Sequence, residues 1–491
     1  MIERYENPKI SHVFSDENKT NLWQDLELAA IKALVQLERV DPRIYYEIQE
    51  IWLSHPIDIP WWKERDEEIH HDLNAFLDER YRWLPIELHQ FVHQDLTSFD
   101  TEETPFIIML KQALQIIQDL SIELDRTIKA LAIKYRYTIM NGRTHGQEAE
   151  LQSFGARCLA WCQDVNVALN FLSQAEANLK YSKLSGAIGK YGSIDPEVEK
   201  ITLEYFDLLP FYGATQIMPR IFYAPIAQAL SNLVTVIDKV STDIRLAARS
   251  GLPLMQEPFK KKQKGSSAMP HKKNPIRTEQ DEGMARLARG YMSMTNENIK
   301  TWEERAIEQS CVERVAWPDL FHTTARALTV LNMVLKGLRV YPDNMLEEVH
   351  RSRGVYASSE IKEFLKKRLK LDNEDVYRIV QLAAFNVFEP EPGRITIREQ
   401  IPNSFEESLT LLNRFKASPA TKIVSLADFI PAAQLRFNDE LDITPEQIEK
   451  YNKYLKKLFQ SESIKQSWAE LFTPAFLLKN EKILYQNILG V

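Results

Sequence analysis

The sequence predicts an all-α protein of three helical domains, and three observations carry that reading. Glycine is scarce, at 15 of 491 residues, about half its usual share of roughly 7%. Few glycines leave few positions for tight positive-φ turns, which favours long helices over many short strands. Apolar residues recur at helical spacing over unusually long stretches, and strand signals are sparse throughout.

Residues 1–106 read as an N-terminal helical domain, made irregular by Pro56, Pro60 and Pro85, since proline lacks the amide hydrogen a helix interior needs. Residues 107–355 read as the central domain. There Ile107, Leu110, Leu114, Ile117, Ser121, Leu124, Ile128, Leu131, Tyr135 and Thr138 alternate spacings of three and four, a heptad seam for a helix that starts after Pro105. Phe154, Leu159, Cys162, Val165, Leu169, Leu172 and Leu179 mark another long helix. A further seam, Ile226, Leu230, Leu233, Ile237, Val240, Ile244 and Ala247, follows Pro225. Two more helices are expected at about 276–312 and 318–340. A helix of about 30 residues spans roughly 45 Å. Its apolar stripe must be covered along that whole length, which implies an elongated bundle and association between subunits. Residues 356–491 read as a C-terminal helical domain, helical to about 388, then turning at Glu389-Pro390-Glu391-Pro392-Gly393 before more helices.

Composition excludes several classes of function. Hydrophobic residues at 44% and charged residues at 26% are those of an ordinary folded chain. A net charge of −8 gives nothing global to attract nucleic acid or an anionic membrane. No uninterrupted run of about 18 apolar residues marks a membrane span, and Met1-Ile2-Glu3-Arg4-Tyr5 lacks the apolar run of a signal peptide. Three cysteines, Cys158, Cys162 and Cys311, suit a reducing compartment. The cytoplasm is therefore expected. Cys158 and Cys162, four apart on a helix, read as small core residues rather than metal ligands.

The most informative stretch is Lys260 to Pro275, KKKQKGSSAMPHKKNP. It lies between two long helices, so it is a loop. Six lysines gather there on an acidic chain, which fits either a solvated loop or a site for an anionic small molecule. The embedded residues favour the site. Gly265 permits close backbone approach, and Ser266 and Ser267 offer hydroxyls and amides that converge on one oxyanion.

Gly265 to Pro275 resembles the signature loop of the fumarase/aspartase superfamily, in the form carried by its adenylosuccinate lyase branch and, with variation, by carboxymuconate cycloisomerases. Other segments are similar to the same branch: Met1 to Tyr5 with Glu17-Asn18-Lys19 and Trp23, His93 with Leu96-Thr97-Ser98 and Asp100, Gly142 to Gln147 (GRTHGQ), Thr215-Gln216, and Trp302-Glu303-Glu304-Arg305 with Ser310 to Arg314 and Pro318-Asp319. The similarity runs over about residues 1–385.

The resemblance implies elimination of fumarate across a C–N bond of a nucleotide, with no metal or organic cofactor. On that basis Ser266 is the general base, with Ser267 a donor to the substrate carboxylate. Lys272 and Asn274 hold the carboxylate that becomes electron-rich. Glu279, one turn into the next helix, orients Lys272 or a histidine. His145 is the general acid, its ordinary pKa of about 6.5 suiting proton delivery near neutrality. His71, followed by Asp72 as its tautomer-fixing partner, assists, and His93 is a further active-site histidine. Arg4, Tyr5, Arg305, Ser310 and Arg314 take the phosphate, unless Arg305 and Arg314 are ion pairs with Glu304 and Glu313. Thr97, Ser98, Thr144 and Gln216 fix the succinyl group, and Met269 contacts substrate. The resemblance further implies a homotetramer whose long helices form a common core, with each site built from several chains. Five positions depart from the branch pattern: Asp95, Phe99, Phe222, Glu303 and Gln309. They bear on substrate preference more than on reaction class.

Overall fold

The structure is a computed structural model that describes residues 1–388, 404, 406, 407, 409, 410 and 424–491. The expected Glu389–Gly393 turn lies outside the described residues. The fold is helical, as anticipated, with three short two-stranded pairings among the described residues. The chain forms two compact units: residues 1–128, 161–248 and 256–339, and residues 129–160, 249–255 and 340–491.

In the first unit the N-terminal helices are α1 (Pro8–Val13), α2 (Asp16–Gln36), α3 (Pro42–Ser54), α4 (Ile59–Ile69) and α5 (Asp72–Tyr81). Asn7, Ser15, Asp41 and Asp58 cap the first four by accepting backbone N–H groups of the first turn. Pro60 thus begins a helix rather than ending one, because the first turn has no use for its missing amide hydrogen. Trp23, Trp52, Trp62, Leu73 and Phe76 form the buried centre of this layer.

Helix α6 (Ser98–Lys134) carries the first heptad seam. Ile107, Leu110, Leu114, Ile117, Leu124 and Ile128 are fully buried. It starts well before Pro105, which lies inside it. The start is set by Thr97 and Asp100, spaced as in a capping box: the Thr97 amide donates to Asp100 Oδ2 at 2.9 Å. Its end at Lys134 leaves Tyr135 and Thr138 outside the helix. Helix α7 (Phe154–Glu176) ends before Leu179, and α8 spans Pro196–Glu204. Helix α9 (Ala224–Ala247) follows its predicted seam closely. Residues 220–247 are long and apolar enough to cross a membrane by composition alone; here Ile226, Leu230, Leu233, Ile237, Val240 and Ile244 are buried, and α10 (Ile276–Glu297) and α11 (Glu308–Lys336) pack against α9. The expected break before Pro318 falls elsewhere. Residues 298–307 separate the two helices, and Pro318 sits within α11, at the cost of the hydrogen bond its ring cannot donate.

In the second unit, strands β1 (Ile139–Thr144) and β2 (Gln147–Ser153) form an antiparallel hairpin with a register shift between Asn141 and Arg143. This hairpin was not expected. The C-terminal core packs α12 (Ser358–Leu369) and α13 (Asn373–Phe388) with Leu426, Ile430, Tyr451 and Trp468.

Candidate active site

In the first unit, a recess of about 440 Å³ is lined by His71, Ala187, Gln216, Glu303 and Arg305. His71 is the N-cap of α5, and its Nδ1 accepts the Asn74 amide at 3.3 Å. That bond makes Nδ1 the unprotonated nitrogen, so Nε2 carries the proton and faces Ser98 Oγ, 3.5 Å away. The tautomer is therefore fixed by the helix cap. Asp72, expected as the tautomer-fixing partner, instead accepts Arg314 Nη2 at 2.7 Å. Arg305 donates to Gln216 Oε1 at 2.9 Å and lies 4.2 Å over the Phe99 ring. Burial lowers its pKa, against the nearby charges of Glu102 and Asp72. The alternative pairings of Arg305 with Glu304 and Arg314 with Glu313 are not formed; Glu313 receives Arg220 instead.

Beside this recess lies a cavity of about 400 Å³ whose lining includes Trp23, Trp62, Phe99, Glu102, Ser310 and Arg314. Burial, with the Asp72 carboxylate adding, pushes Glu102 up to about 8 against Arg305, Arg314 and Lys19. The upward shift favours the neutral carboxyl form, since burial disfavours the charge. Ser310 is buried and accepts Gln309 Nε2 at 3.0 Å. In the cavity wall, Glu103 binds Arg220 Nη1 through both oxygens at 3.0 Å, accepts the Tyr223 hydroxyl at 2.5 Å and accepts the Met218 amide at 3.1 Å.

His93 sits at the edge of a smaller pocket with Asp95. Its Nδ1 is 2.8 Å from Glu27, which also accepts its backbone amide at 2.9 Å and the Thr101 hydroxyl at 2.6 Å. Burial lowers the imidazole pKa, but the charge and hydrogen bond of Glu27 outweigh it, with Asp100 and Glu102 adding, so the net shift is upward. Thr97 and Ser98 lie at the start of α6, half-buried.

The signature loop is shaped by itself and by the helix it precedes. Glu257 caps α10 by accepting the Arg277 and Thr278 amides at 3.1 and 3.2 Å. Asn274 Nδ2 donates to the Gly265 carbonyl at 2.8 Å, closing the loop on itself. A side chain at Gly265 would put a carbon 1.9 Å from the Lys272 carbonyl oxygen, so only glycine fits. Ser266 is half-buried, and its Oγ accepts the Met269 amide at 3.1 Å. Ser267, Met269 and Lys272 are exposed. Glu279, on the first turn of α10, lies 3.9 Å from Arg245 rather than against Lys272.

In the second unit, Thr144 and His145 lie at the hairpin tip, both exposed. His145 and Gly146 both have positive φ, at 52° and 76°, between the paired residues Thr144 and Gln147. That is the type I′ turn, whose twist matches the flanking strands. Arg143 steadies it by donating to the Gly146 carbonyl at 3.0 Å and to Glu348 at 2.6 Å.

The N-terminal turn of the first unit holds Arg4, exposed, and Tyr5, whose ring faces the Arg326 guanidinium at 5.8 Å. It is anchored by the Met1 amino group, 2.5 Å from Asp319. The structure thus gathers His71, Ser98, Gln216, Arg305, Ser310 and Arg314 around two adjoining hollows; Ser266 and Lys272 lie on the loop before α10, and in the second unit His145 lies on the exposed hairpin turn. Of the departures, Phe99 stacks on Arg305 and Glu303 lines the recess, whereas Phe222 packs in an aromatic cluster with Tyr181, Phe211 and Tyr223.

The sequence pattern of a lyase family matches residues 6–290. The adenylosuccinate lyase of Synechocystis sp. is 35% identical over 393 residues, covering 80% of this chain and 90% of that protein. The chain belongs to the adenylosuccinate lyase family. The family's enzyme from Aquifex aeolicus is likewise 35% identical, covering 84% of this chain and 97% of that protein. The fold is shared more widely: a fumarate lyase from Mesorhizobium sp. BNC1 superimposes with a TM-score of 0.77 at 18% identity, covering 100% of this chain and 99% of that one.

Three features escaped the sequence reading: the raised Glu102 and the Glu103–Arg220–Glu313 cluster at the larger cavity, and the Glu27 partner of His93 at the smaller pocket. Glu102 and Glu103 sit on the first turns of α6, and recognising Thr97 and Asp100 as that helix's start would have placed them there.

Proposed function

We propose that this chain eliminates fumarate from adenylosuccinate, giving AMP, and from the succinylated aminoimidazole carboxamide ribotide of purine synthesis. The observation that carries this reading is the kinship with adenylosuccinate lyases along four-fifths of the chain. The arrangement of polar groups supports it.

Ser266 is the base. A free serine hydroxyl ionises too poorly to act unaided. The Met269 N–H donated to its Oγ favours the alkoxide over the hydroxyl, and Lys272 adds positive charge when the loop closes on substrate. The alkoxide removes a proton from the carbon beside a carboxylate. Lys272 and Asn274 steady the resulting dianion, and Ser267 and Met269 shape its pocket. The electron pair then forms the double bond of fumarate as the C–N bond breaks, and His145 delivers a proton to the departing nitrogen. His71 Nε2–H, aimed at Ser98, assists in binding the succinyl group with Thr97, Thr144 and Gln216. Arg305, Ser310 and Arg314, with Arg4 and Tyr5, hold the phosphate, for which arginine's planar fork is suited. His93 and Glu279 set the positions of neighbouring groups.

The chain acts as a homotetramer with sites shared between subunits. The exposure of the Ser266 loop and of the His145 turn supports this, since neither is dry enough alone for a carbanion. The test is adenylosuccinate turnover, followed by ultraviolet absorbance, in wild type and in Ser266→Ala. Turnover in wild type and its loss in the variant are expected. An inactive wild type overturns the assignment, and a fully active Ser266→Ala overturns the base.

A further inference from the structure

A fully buried ion pair lies among the segments that form the recess, and no role above uses it. Lys183 Nζ and Asp100 Oδ1 are 2.5 Å apart, with neither side chain exposed at all. Lys183 also donates to the carbonyl oxygens of Gln216, at 2.8 Å, and Gly186, at 3.4 Å. Asp100 accepts the Gly186 amide at 3.2 Å and the Thr97 amide at 2.9 Å. The pair's polar atoms thus tie together three segments distant in sequence: the Thr97-Ser98 helix start, the Ser185-Gly186-Ala187 turn and Thr215-Gln216. The linkage continues outward, because the Gln216 side chain accepts Arg305 and donates to the Ala187 carbonyl at 3.2 Å.

Burying two charges is a weak source of stability, since the loss of hydration offsets their attraction and apolar replacements of similar size are often as stable. What the pair supplies is fixed spacing. We propose that Lys183 and Asp100 are positioning residues that set Thr97-Ser98 against Gln216 and, through Gln216, hold Arg305 over the recess. The kinetic part of this inference rests on the function proposed above; the structural part does not.

The double variant Lys183→Met/Asp100→Asn separates positioning from stability by removing both charges together. Lys183→Met alone is expected to unfold several degrees early, because Asp100 is left charged and buried. The double variant is expected to regain most of that Tm. Yet its amides within 94–100, 184–188 and 214–218 exchange with deuterated water faster than wild type, and kcat falls by about tenfold or more while KM stays within about threefold. If the double variant does not fold, Lys183→Arg, which keeps both charges and alters only the spacing between them, carries the same two readouts, with the same direction expected. Wild-type exchange in all three segments overturns the inference whatever the substrate. Faster exchange with unchanged kcat also overturns it, as the segments would then move without consequence. A wild type that leaves adenylosuccinate untouched refutes the proposed function, and the exchange result still decides this one.

Discussion

Replacing Glu103 by alanine is expected to destabilise the first unit by about 3–5 kcal/mol, the usual cost of removing one partner from a buried ion pair. The figure follows from what each oxygen does. Both accept Arg220 Nη1 at 3.0 Å, one also accepts the Tyr223 hydroxyl and the other the Met218 amide. Glu103, Arg220 and Tyr223 are all buried. Alanine leaves the guanidinium with Glu313 and the Met218 carbonyl and strands a phenol and an amide, each costing on the order of 1–3 kcal/mol when unpartnered. Water entering the vacated space recovers part of the sum, which keeps the total in the stated range. Glu103→Gln retains an acceptor oxygen and is expected to cost about half as much. The assay is denaturant unfolding followed by tryptophan fluorescence, reading the midpoint of the first transition at constant slope. A loss below about 1 kcal/mol for Glu103→Ala, the size of an ordinary surface change, would refute the reasoning.

Three further outcomes are expected. Glu27→Gln removes the partner that raises the His93 pKa. A raised histidine pKa stabilises the fold fully below the unfolded value of about 6.5 and loses that contribution as pH rises through the folded value. Wild type is therefore expected to exceed Glu27→Gln in stability most below about pH 6, with the gap narrowing toward alkaline pH in a series of thermal melts; a gap that widens with pH contradicts the assignment. Gly265→Ala forces a carbon against the Lys272 carbonyl, so kcat/KM is expected to fall by about tenfold or more with Tm nearly unchanged, as steady-state kinetics beside a melt will tell. Arg314→Ala frees Asp72 and removes a proposed phosphate ligand, so KM and the inhibition constant for AMP are expected to rise by about tenfold or more. An unchanged AMP inhibition constant would remove Arg314 from the phosphate site.

Long-range order was legible where one residue type repeats. The seam of α9, Ile226 to Ile244, was readable because every member is apolar and buried, on a helix that packs against α10 and α11. The start of α6 was misplaced because Pro105 is a louder signal than the quiet Thr97 and Asp100 pair that caps it. The hairpin at 139–153 was missed because its polar residues and bulge break the period of two, and its turn uses His145 where asparagine is the usual guide. The loop residues and His145 were found through motif resemblance, since their types and spacing are local. The Lys183–Asp100 and Glu103–Arg220 pairs were not, because charges 83 and 117 residues apart declare themselves as partners only once the chain has folded.

The claim that most needs testing is that a loop hydroxyl from one subunit and a hairpin imidazole from another complete each reaction centre. Equal amounts of inactive Ser266→Ala and His145→Ala, unfolded together, refolded and assayed on adenylosuccinate, probe it directly. Random mixing is predicted to return about a quarter of wild-type activity, because that share of centres receives both intact groups from different chains. A mixture as dead as its two components would contradict the account.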